Sequence, residues 1–89
     1  MERYFVDSPH TPQECLRALD ELLAKGPETL AKYEWGCMDG DHTGYAILEA
    51  RSEAEVKENI PSFLAGKARV VKLNRFTPDQ IREFHRKSA

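Results

Sequence analysis

The sequence predicts an α+β domain: a four-stranded antiparallel sheet with two helices on one face and a further helix appended at the C-terminus. Three observations carry this. Helix starts of capping-box form recur at Thr11-Pro12-Gln13-Glu14, Ser52-Glu53-Ala54-Glu55 and Thr77-Pro78-Asp79-Gln80. Short aromatic and β-branched runs lie between them, and a glycine-punctuated turn joins the second run to the third.

Length and composition set the frame. With 89 residues, 40% hydrophobic and 31% charged, the chain suits one ordered globular domain over 1–89, of which 76–89 is a helical extension. There is no internal repeat and no apolar run near the ~20 residues of a membrane span. The polar start Met1-Glu2-Arg3 leads straight into a strand rather than a signal-peptide core, so a cytoplasmic location is expected. In that setting Cys15 and Cys37 are read as free thiols or ligands, with a disulfide between them left open.

Taken in order, Arg3–Asp7 reads as a strand ended by Ser8-Pro9, because proline cannot donate to a ladder. His10 then falls in a turn before a helix running to about Lys25, with Cys15, Leu19 and Leu22, together with Leu16 and Leu23, at apolar spacings of three, four and seven. Gly26-Pro27 stops or kinks it, and Glu28–Lys32 adds a turn or two. Tyr33–Met38 alternates as a half-buried strand, and Gly44–Ala50 is its hairpin partner. The second capping box opens a helix with Val56, Ile60, Phe63 and Leu64 on its apolar face, kinked near Ile60 by Pro61 and ending at Gly66. Arg69–Asn74 is the fourth strand, and the third capping box starts a last helix with Ile81, Phe84 and His85 on one stripe.

Strand, helix, strand, strand, helix, strand is the ferredoxin-like βαββαβ order. In that topology the end of the first strand, the start of the first helix and the hairpin tip share one edge, which makes neighbours of His10, Cys15, Cys37 and His42. Two imidazoles and two thiolates suit a transition metal such as zinc, nickel or copper, with Asp39 and Asp41 available to orient an imidazole. His10-x4-Cys15 followed by Cys37-x4-His42 matches no standard finger, and each cysteine also suits plain burial as a small hydrophobe. The same residues permit an enzyme. A histidine poised by Asp7, Asp39 or Asp41 would act as general base on a small molecule held under Tyr4, Trp35 or Tyr45, or Cys15 would act as a thiol nucleophile. A ligand-free assembly module is the third reading.

The other sheet face carries Phe5, Tyr45 and Ile47, an uncovered apolar surface that implies a homodimer. The formal charge of −2 conceals a split, with four Lys/Arg against ten Asp/Glu in residues 1–50 and nine against five in 51–89, which can orient two copies. Tyr4-Phe5-Val6, the Thr-Pro-Gln-Glu helix start and Gly44-Tyr45-Ala46-Ile47-Leu48-Glu49-Ala50 together resemble small members of the dimeric α+β barrel superfamily. That resemblance implies sheets paired face to face and, in the enzymes of that group, small-molecule pockets, with no shared catalytic motif. The 44–50 run also resembles the RNP1 strand of RNA-recognition motifs, but Thr43 replaces its basic residue and Ile47 and Ala50 its stacking aromatics. The negative charge further argues against nucleic acid.

Overall fold

The computed structural model describes residues 1–88; Ala89, the last residue of the expected extension, lies outside the described residues. Its strands are β1 (Glu2–Pro9), β2 (Tyr33–Trp35), β3 (Thr43–Ala50) and β4 (Arg69–Leu73). Its helices are α1 (Cys15–Lys25), α2 (Pro27–Ala31), α3 (Glu53–Lys57) and α4 (Pro78–Ser88). The strands form one sheet in the order β2-β3-β1-β4, every neighbouring pair antiparallel. The expected α+β class, with an open four-stranded antiparallel sheet and helices, is what the chain adopts.

Alternation in the two central strands sorts the side chains. Tyr4, Val6 and Ser8 of β1 and Ala46, Leu48 and Ala50 of β3 are buried on one face. Ala18 and Leu22 of α1, Val56 of α3, and Ile60 and Leu64 close the core over them. Phe5, Tyr45 and Ile47 take the opposite parity and the other face, where the Phe5 and Tyr45 rings stack at 6.1 Å. Among the described residues no helix is long and apolar enough to cross a membrane.

Several boundaries move from their expected places. Strand β1 continues through Ser8 and Pro9, which pair with Gly44 and Thr43. The proline is tolerated because β4 flanks β1 only from Arg3 to Asp7, so the missing amide of Pro9 faces an unpaired edge. The reciprocal Thr11/Glu14 capping box forms as expected, but it caps a 3₁₀ turn at Pro12–Glu14 that leads into α1. Helix α1 ends at Lys25 and α2 follows Gly26, as expected. Its buried stripe, however, is Ala18 and Leu22, while Leu16 and Leu23 are 68% and 52% exposed. The sheet meets a narrower arc of the helix than five apolar positions suggested.

Strand β2 is the shortest correction, stopping at Trp35, with Cys37–Asp39 turning as a 3₁₀ helix. The expected long second helix is also short. Ser52 Oγ accepts from the Glu55 amide at its start, and α3 stops at Lys57. The Asn59 side-chain amide then donates to Glu55 O and the Tyr33 hydroxyl donates to Asn59 O, drawing the chain into turns in which Pro61 is buried. Strand β4 ends at Leu73, one residue early.

Candidate metal centre

The candidate centre sits where the β1–β3 ladder runs out. Pro9 and Thr43 form the last strand pair, and the next rung sets His10 opposite His42, the His10 amide donating to His42 O at 2.9 Å. Strand parity directs both imidazoles to the helix-covered face, since His10 continues Tyr4, Val6 and Ser8. Their ring centroids are 5.9 Å apart at an interplanar angle of 72°.

The thiols arrive from two other elements. Cys15 is the first residue of α1, held there by the capped turn above it. Cys37 follows Tyr33 and Trp35 at period two and opens the 3₁₀ turn after β2. One donor atom from each of His10, Cys15, Cys37 and His42 lies within 4.8 Å of all the others. The structure therefore brings together all four residues expected at this end.

That spacing is close to a coordination sphere. Tetrahedral zinc with Zn–S near 2.3 Å and Zn–N near 2.0–2.1 Å has donor–donor edges of roughly 3.3–3.8 Å. His10 Nε2 already lies 3.2 Å from Cys37 Sγ. The wider pairs close by about an ångström to reach those edges, a movement within rotamer adjustment.

Polar accounting points the same way. His10 is only 8% exposed, and Nδ1 of both His10 and His42 is buried without a hydrogen-bond partner. Buried polar atoms are satisfied in the great majority of cases, so each of these nitrogens calls for a partner. A ring holds one ion through one nitrogen, and where His10 does so through Nε2, beside Cys37, its Nδ1 needs the further partner that a ligating histidine ordinarily has. Ser8 Oγ, one strand step before His10 on the same face, is a third such atom. The Cys37 thiol is pushed up, first by burial and then by the neighbouring Cys15, so without a cation it resists ionisation. Both cysteines are free, and the disulfide left open by sequence is not formed.

Close backbone approaches fix the walls. A Cβ on Gly36 would stand 2.8 Å from Asp41 O, and Asp41 returns its own amide to Gly36 O at 3.0 Å, drawing the two sides of the tip together. A Cβ on Gly44 would stand 2.9 Å from the Trp35 ring, which lies across that position and reaches His10 at a centroid distance of 5.8 Å. Trp35 is the single tryptophan, so the centre carries its own fluorophore.

The carboxylates do not join in as expected. Asp41 accepts from Thr43 Oγ1 at 2.7 Å and from the Tyr45 hydroxyl at 2.5 Å, and these bonds, Tyr45 first, hold its carboxyl below the usual range. It braces the hairpin rather than an imidazole. Asp39 is exposed, and Asp7 takes the parity of the open face. Among the described residues no carboxylate hydrogen-bonds His10 or His42. Tyr4 is in the core and Tyr45 is on the far face, so of the three expected aromatic covers only Trp35 touches the centre. A shallow hollow of about 260 Å³ beside His10 is bounded by Pro9, Thr11, Glu14 and Lys67. The chain matches no family model, no curated protein and no solved structure.

Proposed function

We propose that this chain is a metal-binding protein holding one transition-metal ion through His10, Cys15, Cys37 and His42. The observation that carries the reading is the mutual approach of those four donor atoms to within 4.8 Å. A two-sulfur, two-nitrogen set favours tetrahedral zinc over the planar sites of nickel or copper(II). Four protein donors also fill the sphere, which suits a structural or storage site better than a catalytic one that needs an open position. The strand order, 4-1-3-2 when read from the β4 edge, supports the ferredoxin-like arrangement from which the site was inferred.

The test is elemental analysis after reconstitution with zinc under reducing conditions. We expect close to one metal per chain, loss of binding in His10→Ala and Cys37→Ser, and no change in His85→Ala, because His85 lies on α4 away from the centre. Cobalt substitution should give thiolate charge-transfer absorption and tetrahedral ligand-field bands, with quenching of Trp35. A stoichiometry near zero in the reduced, folded protein would overturn the proposal and leave the ligand-free assembly reading.

A further inference from the structure

Helix α4 is out of proportion to the rest of the molecule. It is an 11-residue helix with no buried residue. Phe76, Ile81 and Phe84 are 61%, 47% and 50% exposed, and Phe76 meets Phe84 edge to face at 5.6 Å. An isolated helix of this length is marginal in water, and helices in proteins are held chiefly by packing of an apolar face. Here the apolar face exists and nothing among the described residues buries it.

The molecule is elongated as a result. Its radius of gyration is 16.2 Å and its extents are 52 × 27 × 21 Å, whereas a compact chain of this length has a radius near 12 Å. The second uncovered surface is the open sheet face, where Phe5, Tyr45 and Ile47 are joined by Val71 and Leu73, set opposite Phe5 and Arg3 in the register. A crevice of about 540 Å³, lined in part by Arg3, Glu49, Leu73 and Arg75, extends this face to the root of α4.

We propose that α4 with Phe76 packs across the open sheet face of a second copy of this chain, reciprocally, giving an arm-exchanged homodimer. Surface area supports this. The chain exposes 6288 Å², whereas a compact monomer of 10.2 kDa exposes about 5,300 Å². The excess is about 1,000 Å² per copy, or about 2,000 Å² in a pair, which is the area of a stable protein–protein interface.

Charge gives the direction. Residues 75–88 carry Arg75, Arg82, Arg86 and Lys87 against Asp79 and Glu83. The sheet face is rimmed by Asp7, Glu34 and Glu49 against Arg3 and Arg69. A net positive arm therefore meets a net negative face. In the lone chain α4 buries no residue against its own sheet, so a second copy supplies the face it fits. Two identical arms on two identical faces close under twofold symmetry.

The proposal is independent of the metal and is tested on the full chain by sedimentation equilibrium. At tens of micromolar we expect twice the 10.2 kDa chain mass. Phe84→Asp should raise the dimer dissociation constant about a hundredfold or more, since each dimer loses two buried rings. Ile81→Asp on the arm and Ile47→Asp on the face should act in the same direction. All three positions are exposed in the single chain, and an unchanged far-ultraviolet spectrum of the sheet confirms that each variant folds. A native chain that stays monomeric overturns the proposal. So does a dimer whose affinity is unchanged in both Phe84→Asp and Ile81→Asp, because direct sheet-to-sheet pairing would then account for it.

Discussion

Two glycines isolate what the centre asks of a single residue. At Gly36 an added methyl meets a backbone carbonyl, 2.8 Å from Asp41 O, and carbonyls do not swing aside as side-chain ends do. Gly66 has nothing within 4 Å of the same position. Gly36→Ala should therefore spread the tip, separate Cys37 from His42 and weaken zinc at least tenfold in a chelator competition, with about 1–3 kcal/mol of lost stability. Gly66→Ala should match the native chain in the metal assay. The residue types and mirrored spacing of the four donors were legible in the sequence. Gly36 was not, because its role comes from where Asp41 stands and no local pattern records that. Nor was the diversion of Asp41 to Tyr45, which depends on the partner the folded hairpin offers.

Titration supplies a second prediction at this scale. The Glu21 carboxylate accepts from the Ser62 amide at 2.6 Å, and hydrogen bonds from Ser62 hold its carboxyl below the usual range. A carboxyl lowered by folding contributes stability that is present above its unfolded value, near 4.3, and is lost as pH falls through the folded value. In urea unfolding, Glu21→Gln should be less stable than the native chain at pH 7, and the gap should narrow below pH 4. A gap that is constant with pH would show that the bond does not depend on the charge. The contact is mostly solvent-exposed, so the expected effect is small.

Among the elements, starts were more legible than ends. Capping boxes are local and carry their own chemistry, and those at Thr11 and Thr77 form reciprocally. Strand β2 and helix α3 end early because of contacts made far along the chain, such as the Tyr33 hydroxyl on Asn59 O, 26 residues away. The two boxes also predict different consequences. Thr11 caps the 3₁₀ turn that leads into α1, the helix that carries Cys15 and, through Ala18 and Leu22, part of the core. Thr11→Ala should cost about 1 kcal/mol of global stability in chemical denaturation. Thr77 caps a helix with no buried residue, so at concentrations where the chain is monomeric Thr77→Ala should lower helical circular dichroism without moving the main unfolding midpoint.

For the molecule as a whole, the metal centre and the root of the arm occupy opposite ends of the sheet. The donors gather beyond Pro9, whereas the arm departs beyond Leu73, which neighbours β4's Lys72 and pairs with Arg3 at the other end of β1. Strand β1 is eight residues long, which at ~3.4 Å per residue separates the two regions by about 24 Å. Tyr45 is common to both, lining the open face and holding Asp41 at the tip. Perturbations at the other donors and at the root of the arm, that far apart, are close to additive. The centre ties together the end of β1, the start of α1 and the β2–β3 tip, which come from distant parts of the chain, so a metal bound only by the folded state adds directly to stability. At free zinc a thousandfold above its dissociation constant that linkage is worth about 4 kcal/mol, or roughly 15–30 °C in Tm for a domain of this size. Chelation should therefore lower Tm by that order in the native chain and equally in Phe84→Asp, with each measured at one protein concentration. Conversely, His10→Ala should lose the zinc-dependent gain yet dimerise as the native chain does. If removing zinc instead dissolved the dimer while the sheet stayed folded, the two ends would be coupled and the independence argued from their separation would fail.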